Sequence, residues 1–145
     1  MNKGNELELG LAGEHLVCAE LLGQNLRAFR TEQNCPYDVA LEYKGRLIRI
    51  QVRCTEKPKP YPQKRQNHIT GYTWYIRMGK GARKSHNPNS FDILALVAFD
   101  TRKIAYFPRN KVRITMQIPV SGAKSQKGRR FENFPLSAAL EEVCT

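Results

Sequence analysis

The sequence lacks any recognisable cysteine framework. Its four cysteines, Cys18, Cys35, Cys54 and Cys144, never fall at Cys-x-x-Cys spacing, and no histidine joins them in a zinc-like pattern. Free thiols in a reducing compartment are therefore expected. Long apolar runs are missing too, since nothing approaches the ~18–20 residues of a membrane span. The opening Met-Asn-Lys-Gly-Asn-Glu carries no apolar core of the secretory kind. A cytoplasmic protein with no membrane contact is the expectation. Negative charge is the scarcest feature of all. No carboxylate occurs between Glu56 and Asp92, and none between Asp100 and Glu132. No internal repeat is visible.

Positive charge fills those gaps. There are 24 Lys and Arg against 13 Asp and Glu, a net charge of +11. The first gap holds Lys57, Lys59, Lys64, Arg65, Arg77, Lys80, Arg83 and Lys84. The second holds Arg102, Lys103, Arg109, Lys111, Arg113, Lys124, Lys127, Arg129 and Arg130. Such charge resists compaction unless an anionic partner neutralises it. Nucleic acid is the expected partner, because each phosphate met by Lys or Arg releases counterions. Acidic lipid fits less well without a basic amphipathic helix. RNA loses ground because there is no RNP-type aromatic motif and no GXXG loop in a helical context. The 145 residues, 41% hydrophobic, suffice for one core. Residues 1–145 are expected to form a single domain with basic DNA-binding loops near 55–68, 79–90 and 121–130.

Hydrophobic periodicity predicts a helix over 5–23, with Asn5 and Glu8 as a capping box and Gly23 as its stop. Leu7, Leu11, Cys18 and Leu22 recur at helical spacing, beside Val17 and Leu21. Gly10 and Gly13 each weaken that helix by ~1 kcal/mol relative to Ala, which points to close packing. Glu14 falls in the apolar series Leu7, Leu11, Cys18, Leu21, so it is expected to face the protein. A strand over 26–31 follows. Pro36 opens a strand through Tyr43, Lys44-Gly45 makes a two-residue turn, and Arg46–Cys54 returns. That turn pairs Tyr43 with Arg46, Leu41 with Ile48 and Val39 with Ile50, matching apolar side chains on one face. The other face carries Asp38, Ala40, Arg49, Gln51 and Arg53, with Asp38 opposite Gln51. After a Pro- and Lys-rich loop at 55–68, Tyr72–Met78 alternates as a strand. Phe91–Phe99 reads as a strand covered on both faces. Ile104–Phe107 and Val112–Val120 are further strands, and Pro135–Val143 is a short terminal helix.

Glu14, Asp38, Gln51 and Arg53 ask for one explanation. Taken singly, Asp38 could cap a turn after Pro36 and Gln51 could simply face solvent. Together they place two carboxylates and an amide oxygen on one surface, a hard oxygen-only set that suits Mg²⁺ or Mn²⁺. A metal there could polarise a phosphodiester, and a neighbouring cation could stabilise charge building on the phosphate.

Glu14, then Pro36-Tyr37-Asp38, then Gln51-Val52-Arg53 resemble the Glu, Pro-Asp and (Asp/Glu)-x-Lys elements of the PD-(D/E)XK nuclease superfamily. One residue is inserted between Pro and Asp, and Gln51 replaces the second acid. The substitution is similar to the subgroup that includes cyanobacterial group I intron-encoded homing endonucleases. The resemblance runs over roughly residues 5–110. It implies an α/β (α+β) restriction-endonuclease-like core, a mixed central β-sheet flanked by helices. It also implies a metal site of Asp38, Gln51 and Glu14. Arg53 stands in the lysine's position and departs from the pattern: it cannot shed a proton, so it would act as an electrostatic clamp. The implied activity is a Mg²⁺-dependent endonuclease on double-stranded DNA, of homing or restriction type. Phosphate contacts are expected from Lys57, Lys59, Lys64, Arg65, Lys80, Arg83, Lys84, Lys124, Lys127, Arg129 and Arg130. Cutting two strands with one site per chain calls for a homodimer or homotetramer. The alternative is a catalytically weak or inactive DNA-binding protein on the same scaffold.

Overall fold

The turn at Lys44-Gly45 organises the sheet. Both residues adopt positive φ, 50° and 75°, in the mirror-image turn whose twist suits a tight hairpin. A computed structural model describes residues 3–76, 90–121 and 129–145. In it β2 (Val39–Tyr43) pairs with β3 (Arg46–Thr55) in the expected register: Tyr43 with Arg46, Leu41 with Ile48, Val39 with Ile50. β1 (Arg27–Arg30) adds antiparallel to β2. On the far side β6 (Ile93–Ala98) runs parallel to β3, and β7 (Lys103–Pro108) runs antiparallel to β6. The result is a mixed five-stranded sheet in the order β1-β2-β3-β6-β7.

Both helices, α1 (Lys3–Gly23) and α2 (Leu136–Val143), pack on one face. Val17, Cys18 and Leu21 of α1 and Leu136, Ala139 and Leu140 of α2 close over Val39, Leu41, Ile48, Ile50 and Val52. The other face is covered by a second, three-stranded sheet that the periodicity alone did not suggest. Its order is β4-β5-β8, from β4 (Lys59–Pro60), β5 (Thr70–Tyr75) and β8 (Thr115–Ser121). Tyr72, Trp74, Ile76, Met116 and Ile118 pack there against Leu94, Leu96 and Phe107. All six residues of β6 are consequently buried, as its unbroken apolar run predicts.

Three expectations are corrected. The helix already runs at Lys3, so Asn5 is an interior residue and there is no capping box at that position. Leu7, Leu11 and Leu22 are exposed, Leu7 at 78%: the buried contacts of α1 are Val17, Cys18 and Leu21 in its C-terminal half, which leaves Leu7 and Leu11 beyond them and Leu22 on the outer side. The strand expected from Pro36 begins at Val39. Pro36 has no N–H for a ladder, and the Asp38 side chain takes over the next donor, as described below. Tyr61, in the expected loop, is buried at 2% exposure. Met78 lies outside the described residues. The four cysteines are free thiols.

The two helix glycines separate. A Cβ on Gly13 would sit 2.8 Å from the Cβ of Cys54 and 3.2 Å from its Sγ, so Gly13 sets how closely α1 lies on β3. A Cβ on Gly10 would meet nothing within 4 Å. Gly13→Ala is expected to destabilise by ~1–3 kcal/mol through overpacking. Gly10→Ala should stabilise by up to ~1 kcal/mol through helix propensity. Urea midpoints of the two variants should move in opposite directions.

Candidate active site

Asp38 stands immediately before β2, where the chain enters the sheet. Its backbone N–H still bonds the Ile50 carbonyl at 2.9 Å, and its carbonyl accepts from Thr31 N–H at 3.0 Å. The side chain then continues the ladder in place of backbone. Asp38 Oδ2 accepts from the Val52 N–H at 2.8 Å and from Gln51 Nε2 at 2.8 Å. Asp38 and Gln51 thus meet across the hairpin, as the register requires. Asp38 Oδ1 accepts no hydrogen bond among the described residues. Burial pushes the Asp38 carboxyl above the ordinary carboxylate value, against the Val52 hydrogen bond and the charges of Arg53 and Arg30.

Gln51 does not face solvent. It is 3% exposed, and its Oε1 is buried with no hydrogen-bond partner among the described residues. In β3 it lies beside Leu94 of β6, and Arg53 lies beside Leu96. Arg53 is half-buried, with Nη1 donating to the Val52 carbonyl at 3.1 Å. Burial draws its pKa down, and the charge of Asp38 opposes that.

Glu14 projects from α1, half-buried as its place in the apolar series predicts. Burial raises its pKa, and repulsion from Asp38 adds to the rise. Arg30 and His15 pull the other way, Arg30 through an ion pair of 3.2 Å from Nε to Glu14 Oε1. Arg30 was not anticipated from the sequence. Its place opposite Val39 in the β1–β2 register puts it next to Asp38, whose charge it feels. Arg49, on the same strand face as Gln51, is engaged elsewhere. The Asp92 carboxylate takes its N–H at 2.9 Å and its Nη2 at 3.0 Å. Burial alone would raise the pKa of Asp92, but these hydrogen bonds and the Arg49 charge hold it low.

The structure therefore gathers Glu14, Asp38, Gln51 and Arg53, and adds Arg30. Among the described residues no three His, Cys, Asp or Glu come together as a metal site. Any divalent cation here would need the amide oxygen of Gln51 as well as the two carboxylates. The residues fit that role. Two desolvated carboxylates repel one another beside a buried amide oxygen that has no donor among the described residues, and a hard cation would satisfy all three.

The basic residues are spread more widely. Lys57, Lys59, Lys64, Arg65 and Arg130 are exposed. Arg129 is half-buried, its Nε and Nη2 both donating to the Gln117 carbonyl, so it is committed within the fold. Lys80, Arg83, Lys84, Lys124 and Lys127 lie outside the described residues.

Comparison with known proteins bears on the fold and the family. The solved structure of a bacterial homing endonuclease, I-Ssp6803I, superposes with a TM-score of 0.65 at 16% sequence identity, over 92% of this chain and 88% of that one. The shared feature is the fold, a restriction-endonuclease-like mixed sheet with flanking helices. No curated protein matches the chain significantly. The family model for PD-(D/E)XK endonucleases matches residues 5–135, and nucleases of this kind generally use divalent metal ions. With nearly its whole length matched, the chain belongs to the PD-(D/E)XK endonuclease family.

Proposed function

We propose that residues 1–145 form one nuclease domain that hydrolyses phosphodiester bonds of double-stranded DNA in a Mg²⁺-dependent reaction, of homing or restriction type. Mn²⁺ would substitute. The observation that carries this reading is the convergence of Asp38, Glu14 and the buried Gln51 Oε1, which has no partner among the described residues, beside Arg53. Asp38 is the principal ligand, Gln51 contributes its side-chain oxygen, and Glu14 completes the set. When bound, the cation supplies Lewis acidity toward a phosphate oxygen and acidifies water. Arg53 holds the phosphate by charge and by its planar fork. Arg30 neutralises Glu14 until a metal competes for it. One site per chain cuts one strand, so a homodimer or homotetramer cuts both. The protein works in the cytoplasm, on the nucleoid when bound to DNA. No described helix is long and apolar enough to cross a membrane.

Supercoiled plasmid should be nicked and linearised by the purified protein with Mg²⁺, and left intact with chelator. Arg53 in the lysine position favours a second reading, a weak or inactive DNA-binding protein. That reading stands if duplex is bound but plasmid is never cut.

The exposed Lys57, Lys59, Lys64 and Arg65, with Arg130, supply phosphate contacts. Neutralising Lys59, Lys64 and Arg65 together should flatten the slope of log affinity against log salt by up to ~0.9 for each phosphate left without its cation. An unchanged slope would remove this segment from the interface.

A further inference from the structure

The second sheet is drawn from the acid-free parts of the chain. β4, β5 and β8 all lie within the two stretches that contain no Asp or Glu. Its inner face is core, through Tyr72, Trp74, Met116 and Ile118. Its outer face carries hydrogen-bonding side chains beyond the Gly71–Pro119 pair. Thr73 pairs with Gln117, and Tyr75 with Thr115, across the β5–β8 ribbon. Tyr75 is 62% exposed.

Tyr61 folds over one end of this ribbon, where only a glycine leaves room. A Cβ on Gly71 would meet the Tyr61 hydroxyl at 2.6 Å and the Ile118 carbonyl at 2.7 Å. That anchor brings Gln63 onto the ribbon, followed directly by the exposed Lys64 and Arg65. Gln117 Nε2 donates to Gln63 Oε1 at 3.2 Å and to Thr73 Oγ1 at 3.3 Å. Both amide protons of Gln117 are thereby used. Among the described residues, Gln117 Oε1 is left as an acceptor and the Gln63 amide nitrogen as a donor.

We propose that the outer face of the β5–β8 ribbon, through Gln63, Thr73, Tyr75, Thr115 and Gln117, reads base edges in the DNA major groove. This deepens the nuclease reading above and rests on it. A two-stranded ribbon fits that groove. The donor and acceptor left on Gln63 and Gln117 complement the N7 acceptor and N6 donor of adenine. The cations beside them, with no carboxylate on any strand of this sheet, hold the phosphates on either side. Phosphate contacts in the loops supply affinity, and the ribbon supplies sequence.

The test is selection from a random duplex library in Ca²⁺ buffer, with retained DNA sequenced. The wild-type protein should select a motif containing fixed A·T pairs. Gln117→Ala should lose preference at one or two of those positions, by roughly 5- to 150-fold each. Its salt slope should stay at the wild-type value, since every phosphate keeps its cation. Gln117→Glu should shift preference toward cytosine, whose N4 amino group a carboxylate accepts; a misfolded variant cannot give that gain. The proposal is overturned if the wild-type protein selects no motif, or if both variants select the wild-type motif. Plasmid cleavage in Mg²⁺ is scored separately. Uncut plasmid with a surviving motif would sink the nuclease reading alone, and cut plasmid with an unaltered motif would sink the ribbon alone.

Discussion

Asp38→Asn is expected to eliminate plasmid cleavage while leaving a folded protein that is more stable than wild type at neutral pH without metal. The catalytic loss follows from charge. Removing the principal ligand forfeits several kcal/mol of charge stabilisation, and at ~1.4 kcal/mol per tenfold the rate should fall by ~10³ or more. Alanine is the less clean substitution. It would leave Gln51 Nε2 and the Val52 N–H without their shared acceptor, at ~1–3 kcal/mol for each donor stranded in the interior. Asparagine keeps an acceptor.

The stability gain follows from the raised pKa. The folded chain binds the Asp38 proton more tightly than the unfolded chain does. That contribution is fully present below the unfolded carboxylate pKa and is lost as pH rises through the folded one. Above both, the ionised side chain costs stability that a neutral amide does not. The melting temperature of Asp38→Asn should therefore exceed that of wild type at neutral pH in chelator, and the gap should close as the pH falls through the carboxylate range. Glu14 is shifted in the same direction, partly by repulsion from Asp38, so in Asp38→Asn its rise should be smaller and its relief should add to the gap at neutral pH. Wild-type cleavage by Asp38→Asn would show that the metal site lies elsewhere.

The hairpin was legible in the sequence because two local signals agreed. Lys44-Gly45 admits a positive-φ turn, and Leu41–Ile48 and Val39–Ile50 then match as apolar pairs. A one-residue slip would have turned Glu42 or Arg49 to the helix side. That register alone put Asp38 against Gln51. Glu14 was legible from helical period, although period identifies a face and not what covers it. Leu7 and Leu11 share the series with Cys18 and Leu21, yet they are exposed. Arg30 was not legible. The link between β1 and β2 has no short turn to set its register, so nothing local placed Arg30 opposite Val39. The second sheet was hidden for a related reason. The alternation of Tyr72, Trp74 and Ile76 shows a strand with one buried face, but its partner β8 is distant in sequence and no local pattern names it.

Arg53→Ala should slow single-turnover cleavage by ~30- to 1,000-fold, the ~2–4 kcal/mol typical of removing a donor to transition-state charge. A second effect follows from its neighbour. Arg53 is one of the charges that hold the Asp38 pKa down, so its loss should push Asp38 higher and move the acid limb of the rate profile toward neutral pH. Arg53→Lys distinguishes a clamp from a misplaced base. A guanidinium stays charged throughout, presents two donors to a phosphate and tolerates desolvation. Lysine starts from ~10.4, some two units lower than arginine, and the burial that already lowers Arg53 would bring it toward neutrality. As a clamp, the lysine variant should be slower than wild type and faster than alanine. Its rate should also change across a pH range where Arg53 contributes no dependence. Single-turnover rates for Arg, Lys and Ala at saturating Mg²⁺, measured across pH, decide the matter. A lysine variant that matches or exceeds wild type at every pH would sink the clamp, and equal rates for all three would take Arg53 out of the chemistry.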